Sequence, residues 1–273
     1  MSKLSELQIN LLALFKWFHE FCEENNLVYY MLGGTMLGAA RHHGFIPWDD
    51  DIDVGMPRNY YEEFLSLTKN RVFGNYVVEG IDTENNDFFY GYAKIYDTNT
   101  TLIENTRYKI KRGIYIDVFP LDGVSNDESK IESVFYPIFN RYQFLLARTC
   151  AIRKERAWYK NFAIYAARAI PNFVASNKKL MIQIDELCKQ KSYEECSFVG
   201  NYYGNWGKRE IMKKSVMGTP TLYQFEDMRA YGAEDYDSYL TNLYSDWRAL
   251  PPEDKRITHH DYILCDLTKS YLK

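Results

Sequence analysis

The sequence predicts an α/β (α+β) protein, a mixed sheet with flanking helices, and three observations carry that expectation. Short β-branched and aromatic runs bounded by turn residues recur through residues 1–125, and helical periodicities alternate with them. Beyond Asn126 the composition shifts to a basic segment whose apolar residues recur at helical spacing, which reads as an inserted helical region. The expected organisation is an α/β core over 1–125, a basic helical region over 126–197, and a C-terminal segment over 198–273 that packs back on the core.

The elements follow in order. Leu4, Leu7, Leu11, Leu14, Phe15 and Phe18 recur at helical spacing, which predicts an amphipathic helix rather than a signal peptide. "NLVYYML", bounded by Asn25-Asn26 and Gly33-Gly34, reads as a strand, and "TMLGAARHH" as a helix opening just after the glycines. "DDDIDVGM" reads as a second strand ended by Pro57, and "NYYEEFLSLTKN" as a helix. "YVVEG", "FYGYAKIYD" and "TTLIE" read as further strands, and "GIYIDVFPLDGV" as another, broken by Pro120. Helical spacing returns in "FLLARTCAI" and "WYKNFAIYAARAI", with a stop at Pro171. The chain then becomes loop-rich and aromatic, and Pro251-Pro252 forbid regular structure there.

Composition excludes several classes. A net charge of −4 over 273 residues gives no reason to expect nucleic acid as a partner. Five scattered cysteines, never spaced as CxxC, read as free thiols of a reducing cytoplasm and offer no zinc site. No run reaches the roughly 18 apolar residues that span a bilayer, so the expected location is cytoplasmic, unless something holds the protein to a membrane surface. The charge is unevenly spread. From Arg141 to Lys179 there are nine bases and a single acid, Glu155, a net +8 against −12 for the remainder. That segment is either a charged helix face or a surface for anionic lipid headgroups at the inner face of the plasma membrane.

The stretch "MLGGTMLGAARHHGFIPWDDDIDVG" concentrates the chemistry. On a strand, alternate residues share a face about 6.5–7 Å apart, so Asp49, Asp51 and Asp53 would point one way and Asp50 and Ile52 the other. Carboxylates at that spacing suit a hard, oxygen-ligated divalent ion, Mg²⁺ or Mn²⁺. An EF-hand loop beginning at Asp49 would need Gly and Glu where the chain has Val54 and Tyr60. A P-loop would need GK[ST] after the glycines, which is absent. A merely solvated acidic turn fits poorly with Trp48, Ile52, Val54 and Met56, residues of a buried strand.

A glycine turn opening a helix, followed by a strand carrying Asp-x-Asp, resembles the nucleotidyltransferase superfamily. That resemblance implies phosphates at the helix N-terminus, metal on the carboxylates, and a third carboxylate from a later strand, for which Asp117 in "GIYIDVFP" is the candidate. A closer resemblance covers "LGGTMLGAARHHGFIPWDDDIDVGMPR", "AKIYDTNTTLIE" and "GIYIDVFPLDGV", and more loosely "YLTNLYSDWRALPPEDKR". Together these resemble the LicD family, which includes bacterial phosphocholine transferases and is related to the fukutin-related proteins. The resemblance implies transfer of phosphocholine from CDP-choline to a sugar hydroxyl of a lipid-linked teichoic acid or lipopolysaccharide precursor. It further implies Asp51, Asp53 and Asp117 as metal ligands, and Gly33, Gly34 and Thr35 at the donor phosphates. Asp49 matches another acidic position of the motif, Arg41 and Lys94 are candidate phosphate cations, and Asp117 is the candidate general base. Choline offers no hydrogen-bond donor, so aromatic faces and carboxylates must recognise it.

Alternatives stay open at this level. Arg41 is a solvated helix-end cation or a phosphate ligand. Lys94 is a snorkelling surface lysine or a donor contact. The adjacent pairs His42-His43 and His259-His260 point apart on any regular element and suit a hard metal poorly. "FVGNYYGNWGKRE" is either packing or an acceptor loop. Rival functions are transfer of another CDP-linked group such as glycerol phosphate, a ligand-binding protein without catalysis, and nucleotidyl transfer releasing pyrophosphate.

Overall fold

The structure, a computed structural model, describes residues 4–83, 88–154, 156–172, 176–258 and 262–273. The histidine pair His259-His260 lies outside the described residues. The first helix, α1 (Glu6–Glu24), opens on a capping box in which Ser5 and Gln8 satisfy each other's backbone N–H groups. Its apolar stripe, with Leu11, Leu14, Phe15 and Phe18, is wholly buried, and Phe18 packs edge-on against Tyr29 and Phe64. β1 (Tyr30–Met31), α2 (Gly33–His42), β2 (Asp53–Pro57) and α3 (Arg58–Thr68) follow. Then come β3 (Val72–Phe73), β4 (Tyr76–Glu79), β5 (Ala93–Asp97), β6 (Thr101–Glu104), β7 (Lys111–Arg112) and β8 (Tyr115–Ser125).

The central sheet runs β1-β2-β8-β5-β4-β3, with β2 and β8 parallel and the other neighbours antiparallel, so it is mixed as expected. Beyond it, the basic region forms α4 (Ile131–Thr149), α5 (Trp158–Ala169) and α6 (Asn177–Cys188). The chain returns through β9 (Phe198–Gly200), which pairs with the far end of β8, and β10 (Ile211–Lys213) extends that edge. A short α7 (Lys214–Met217), the hairpin β11 (Thr221–Phe225) and β12 (Met228–Gly232), α8 (Tyr236–Tyr244) and β13 (Tyr262–Asp266) complete it. β13 pairs with β6, which pairs with β7, in a separate three-stranded sheet. One buried apolar cluster includes Phe15 from α1, Val118 from β8, Phe135 from α4, Met181 from α6 and Tyr239 from α8.

Three expectations are corrected. "NLVYYML" is extended-paired only at Tyr30–Met31, and "DDDIDVGM" becomes a strand only at Asp53. For the second run the cause is a missing neighbour. β1 ends where α2 begins, so residues 49–52 have no strand partner on that side, and Leu32 N–H closes the edge on Asp53 O. Pro120 does not break β8. Asp117 N–H donates to Ile52 O, so odd-numbered N–H groups of β8 face β2 and even-numbered ones face the opposite edge. On that opposite edge β5 pairing ends at Val118 and β9 pairing begins at Asp122. The missing N–H of Pro120 falls in the gap, where no acceptor waits.

The basic region is not a uniform solvated face. Arg148 is fully buried, donating to the carbonyls of Ala167 and Ile170 and to the side-chain oxygens of Asn172 and Asn177. Arg168 donates to Cys150 O, and Lys178 to the carbonyls of Ile81 and Thr83. These bases close helix ends and loops onto one another. Arg58 anchors the region to the sheet. Its guanidinium grips both oxygens of buried Asp122 on β8, at 2.7 and 2.6 Å, and reaches Asp185 on α6 at 2.9 Å.

Removing one partner of a buried pair leaves the other charged and unsatisfied, which costs about 3–5 kcal/mol. Arg58→Ala should therefore lower unfolding free energy by that amount in urea titration. A loss below about 1 kcal/mol would mean that water reaches Asp122 and that the network is peripheral.

Candidate active site

Strand register builds the centre of the site. Asp53 on β2 stands directly beside Asp117 on β8, and Asp117 stands directly beside Lys94 on β5. Register partners share a sheet face, so two carboxylates and an ammonium occupy one row across three strands. Lys94 Nζ donates to Asp117 Oδ1 at 2.8 Å and lies 3.6 Å from Glu104 Oε1. It also sits 3.4 Å from the Tyr115 ring centroid and 4.6 Å from that of Tyr90. Lys94 is only 2% exposed, which removes the reading of a snorkelling surface lysine.

The electrostatics are those of a crowded anionic site. Burial pushes the Asp117 carboxyl up to about 6, while Lys94 pulls it down and Glu104 and Asp51 add to the rise. Asp53 is held well above the usual carboxylate range, first by burial and then by the charges of Asp51, Asp117 and Asp49. Its backbone N–H donates to Thr35 Oγ1 at 2.8 Å, which locks the start of β2 to the first turn of α2.

Preceding β2, the loop of Asp49, Asp50 and Asp51 does not alternate. Each residue offers one carboxylate oxygen, and these three atoms lie within 4.8 Å of one another. Asp50, expected to face away, joins them and accepts from the Thr258 and Tyr262 hydroxyls. Gln8 of α1 holds the loop from below, its Nε2 donating to Asp49 O at 2.9 Å. The glycines explain how the turn fits. Gly33 has φ +47°, a left-handed conformation that glycine adopts at least cost. At Gly34 an added Cβ would lie 2.8 Å from Asp49 Oδ2, so only glycine lets that carboxylate approach the helix start.

The expected donor-phosphate residues divide. Gly33 N–H is already donated to the Tyr239 hydroxyl at 2.9 Å, and the Thr35 hydroxyl accepts from Asp53. Both thus lie at the site with those groups committed. Arg41 lies at the other end of α2, about 12 Å along the axis from Gly33. Its Nη1 donates to the carbonyls of Trp247 and Ala249, so it clasps the C-terminal segment. Among the described residues no histidine joins the carboxylate cluster.

Several residues of the site are not evident from local pattern. Tyr239 and Tyr244 come from α8, within "YLTNLYSDW", and Tyr244 is raised well above the usual phenol range by burial and by Glu210, Asp53, Asp49 and Asp51. Glu104 accepts from the Tyr90 hydroxyl beside Lys94. All of these fall inside runs quoted above, but nothing in the local spacing singles them out.

The donor set suits a hard cation. The three clustered groups of the loop are carboxylate oxygens, and two charges about 4–5 Å apart repel by about 3–4 kcal/mol at an effective dielectric of 20. The N-terminus of α2 returns about 0.3–1 kcal/mol, too little to balance several such pairs. Asp49, Asp50 and Asp51 are the carboxylates close enough to share one cation, and the expected ligands Asp53 and Asp117 stand in register on the neighbouring strands.

Comparison with known proteins places this geometry. Residues 26–145 match the family described as LicD/FKTN/FKRP, nucleotidyltransferase domain. This span thus resembles a LicD-family nucleotidyltransferase domain. The matched span holds the glycine turn, the acidic loop, β2, β5 and β8. The chain is also 29% identical over 262 residues to the lipopolysaccharide cholinephosphotransferase LicD of Haemophilus influenzae, covering 94% of this chain and 96% of that one. An uncharacterized protein of Rickettsia typhi is 30% identical over 155 residues, half of this chain and 48% of its own. Human ribitol 5-phosphate transferase FKRP is 57% identical over 28 residues, 10% of this chain and 6% of its own. The resemblance to the LicD family is thus borne out, and the H. influenzae match extends it well beyond the core.

Two tests follow from this geometry. Gly34→Ala should displace Asp49 while leaving unfolding free energy within about 1 kcal/mol of the parent, and a shift near 1 Å can lower turnover about a hundredfold. Unchanged turnover would mean that Asp49 has no part in the chemistry. Glu210 supplies the second. Its carboxyl is pushed up to about 7 by burial, against an ordinary 4.5. The folded state holds a proton that the unfolded state releases, so stability falls as pH rises from 4.5 through 7. The full cost is about 3 kcal/mol, and Glu210→Gln should recover it at pH 8 and gain nothing at pH 4.5. Parallel stability curves for the two proteins would assign the titration elsewhere.

Proposed function

We propose that the protein transfers phosphocholine from CDP-choline to a sugar hydroxyl of a cell-surface glycan precursor, releasing CMP. The observation that carries the reading is the match along nearly the whole of both chains to a relative named as a lipopolysaccharide cholinephosphotransferase. The row of Asp53, Asp117 and Lys94 supports it with a physical site. A lipopolysaccharide, teichoic acid or similar precursor carried on a lipid is the acceptor class.

In this reading Asp51, Asp53 and Asp117 hold Mg²⁺ or Mn²⁺. The bound ion would neutralise phosphate charge and make the attacking hydroxyl more acidic. The protein's own groups do the rest. The acceptor oxygen attacks the phosphorus bearing choline, the bond from that phosphorus to the CMP oxygen breaks, and the hydroxyl proton passes to a base. Asp117 is the candidate base by its place in the row beside Asp53. Lys94 fixes the orientation of Asp117. The backbone N–H groups of Gly34 and Thr35, at the start of α2, face the anionic donor. Arg41 is a candidate phosphate cation by the resemblance alone, and its contacts with the Trp247 and Ala249 carbonyls favour a role in holding the C-terminal segment.

A second reading keeps the chemistry and changes the cargo. The short match to a ribitol 5-phosphate transferase favours considering polyol phosphates on the same nucleotide. No described helix is long and apolar enough to cross a membrane. A lipid-linked acceptor would therefore be met by the described part of the chain at the bilayer surface.

Purified protein with Mg²⁺ should release CMP from CDP-choline when a lipid-linked acceptor is supplied, and EDTA should stop it. Asp51→Asn or Asp53→Asn should lower the rate about a thousandfold or more, the order of several kcal/mol of charge stabilisation. Release of pyrophosphate, full turnover in EDTA, or activity with CDP-ribitol or CDP-glycerol alone would each replace this reading.

A further inference from the structure

We infer that α5 is a bilayer-seating element, its outer face entering the headgroup region of an anionic membrane while the helix lies parallel to the surface. α5, "WYKNFAIYAARA", contains no acid, and its charged residues are Lys160 and Arg168 alone. Only Ile164 and Ala167 are buried, on the side packed against the rest of the protein. Trp158, Phe162 and Tyr165, at helical spacing along the opposite side, are 79%, 69% and 58% exposed, and Tyr159 beside them is 57% exposed. Ala163, Ala166 and Ala169 fill the intervals, also exposed. The helix is therefore apolar on both faces, and the water-facing one carries the larger side chains.

Such a face needs an occupant, and its surroundings select one. Trp and Tyr have an apolar body and a polar tip, the residue types that settle at the membrane–water boundary. The rim is basic. Lys154 and Lys160 are exposed at the start of α5, Arg153 precedes them, and residues 141–179 carry nine bases against Glu155 alone. A protein partner could cover the same rings, but the one-signed rim is complementary to an anionic lipid surface. Length agrees. Twelve residues make a helix about 18 Å long, well short of the roughly 30 Å apolar thickness, so α5 can lie on a bilayer and cannot span one.

This differs from simple electrostatic attachment. Arg148 is buried, and Arg156, Arg168 and Lys178 donate to main-chain carbonyls, so the segment's formal charge overstates what faces a lipid. The aromatic face should hold the protein once the rim has brought it in. The inference stands whether or not the donor is CDP-choline, and its test uses no substrate.

The test is vesicle flotation with phosphatidylcholine alone and with phosphatidylcholine containing phosphatidylglycerol, at low and high salt. The wild type should float with anionic vesicles at low salt and retain part of that binding at high salt. Trp158→Ala/Phe162→Ala/Tyr165→Ala should lower partitioning at least about a hundredfold at both salts, from the apolar area removed. Arg153→Gln/Lys154→Gln/Lys160→Gln should lose binding chiefly at low salt, since salt already screens the rim. Circular dichroism should give both variants the wild-type helical content. Quenching by lipids brominated in their acyl chains should dim Trp158 in wild type and spare a Trp158→Phe variant. Equal flotation of the triple-alanine variant and wild type, or no flotation of wild type at all, would overturn the inference. So would a concentration-dependent dimer that the alanine variant abolishes, which would assign this face to a second copy.

Discussion

Asp49, Asp50, Asp51 and Asp53 crowd four carboxylates into five positions, and elements from across the chain converge to hold that loop in place. α1 contributes Gln8 to its backbone, α2 offers its positive end, and the C-terminal segment supplies the hydroxyls of Thr258 and Tyr262 to Asp50. β8 then adds a further carboxylate, Asp117, and β5 adds the cation beside it. Elements from both ends of the chain thus meet at one point. Each contact fixes a different part of the loop, so its negative charge is held at one place by elements distant in sequence.

The sheet was largely legible because its strands are short, β-branched and set off by turn residues. The mixed topology rests on the same runs, yet their limits depended on neighbours. Residues 49–52 carry strand-like alternation and still form a loop, because α2 begins where a partner strand would have to continue. Pro120 reads as a break in isolation and is tolerated because the edge it faces changes partner at that residue. Neither fact is local, and periodicity reports only local preference.

The site was legible to a similar extent. The glycine turn, Asp53, Asp117 and Lys94 stood in recognisable motifs, and the register sets the last three side by side. Asp50 was placed on the wrong side, since the alternation assumed a strand. Tyr239, Glu104 and Tyr262 enter from far along the chain, and no spacing rule connects them to residues 33–53. Charge counting erred in the same way. It weighed Arg148 equally with Lys160, although one is buried among carbonyls and the other faces solvent. A formal charge carries no address until the fold supplies one.

The bond between Tyr262 and Asp50 spans 212 residues of sequence. During synthesis at roughly 5–20 residues per second, Asp50 emerges some 10–40 s before its hydroxyl partner exists. For that interval the acidic loop stands with its neighbouring carboxylates unrestrained on one side, and α1, α2 and the central strands have ample time to assemble around it. β13 arrives as a clasp on elements already made. The contact between Tyr262 and Asp50 is therefore among the later ones to form in the order of synthesis.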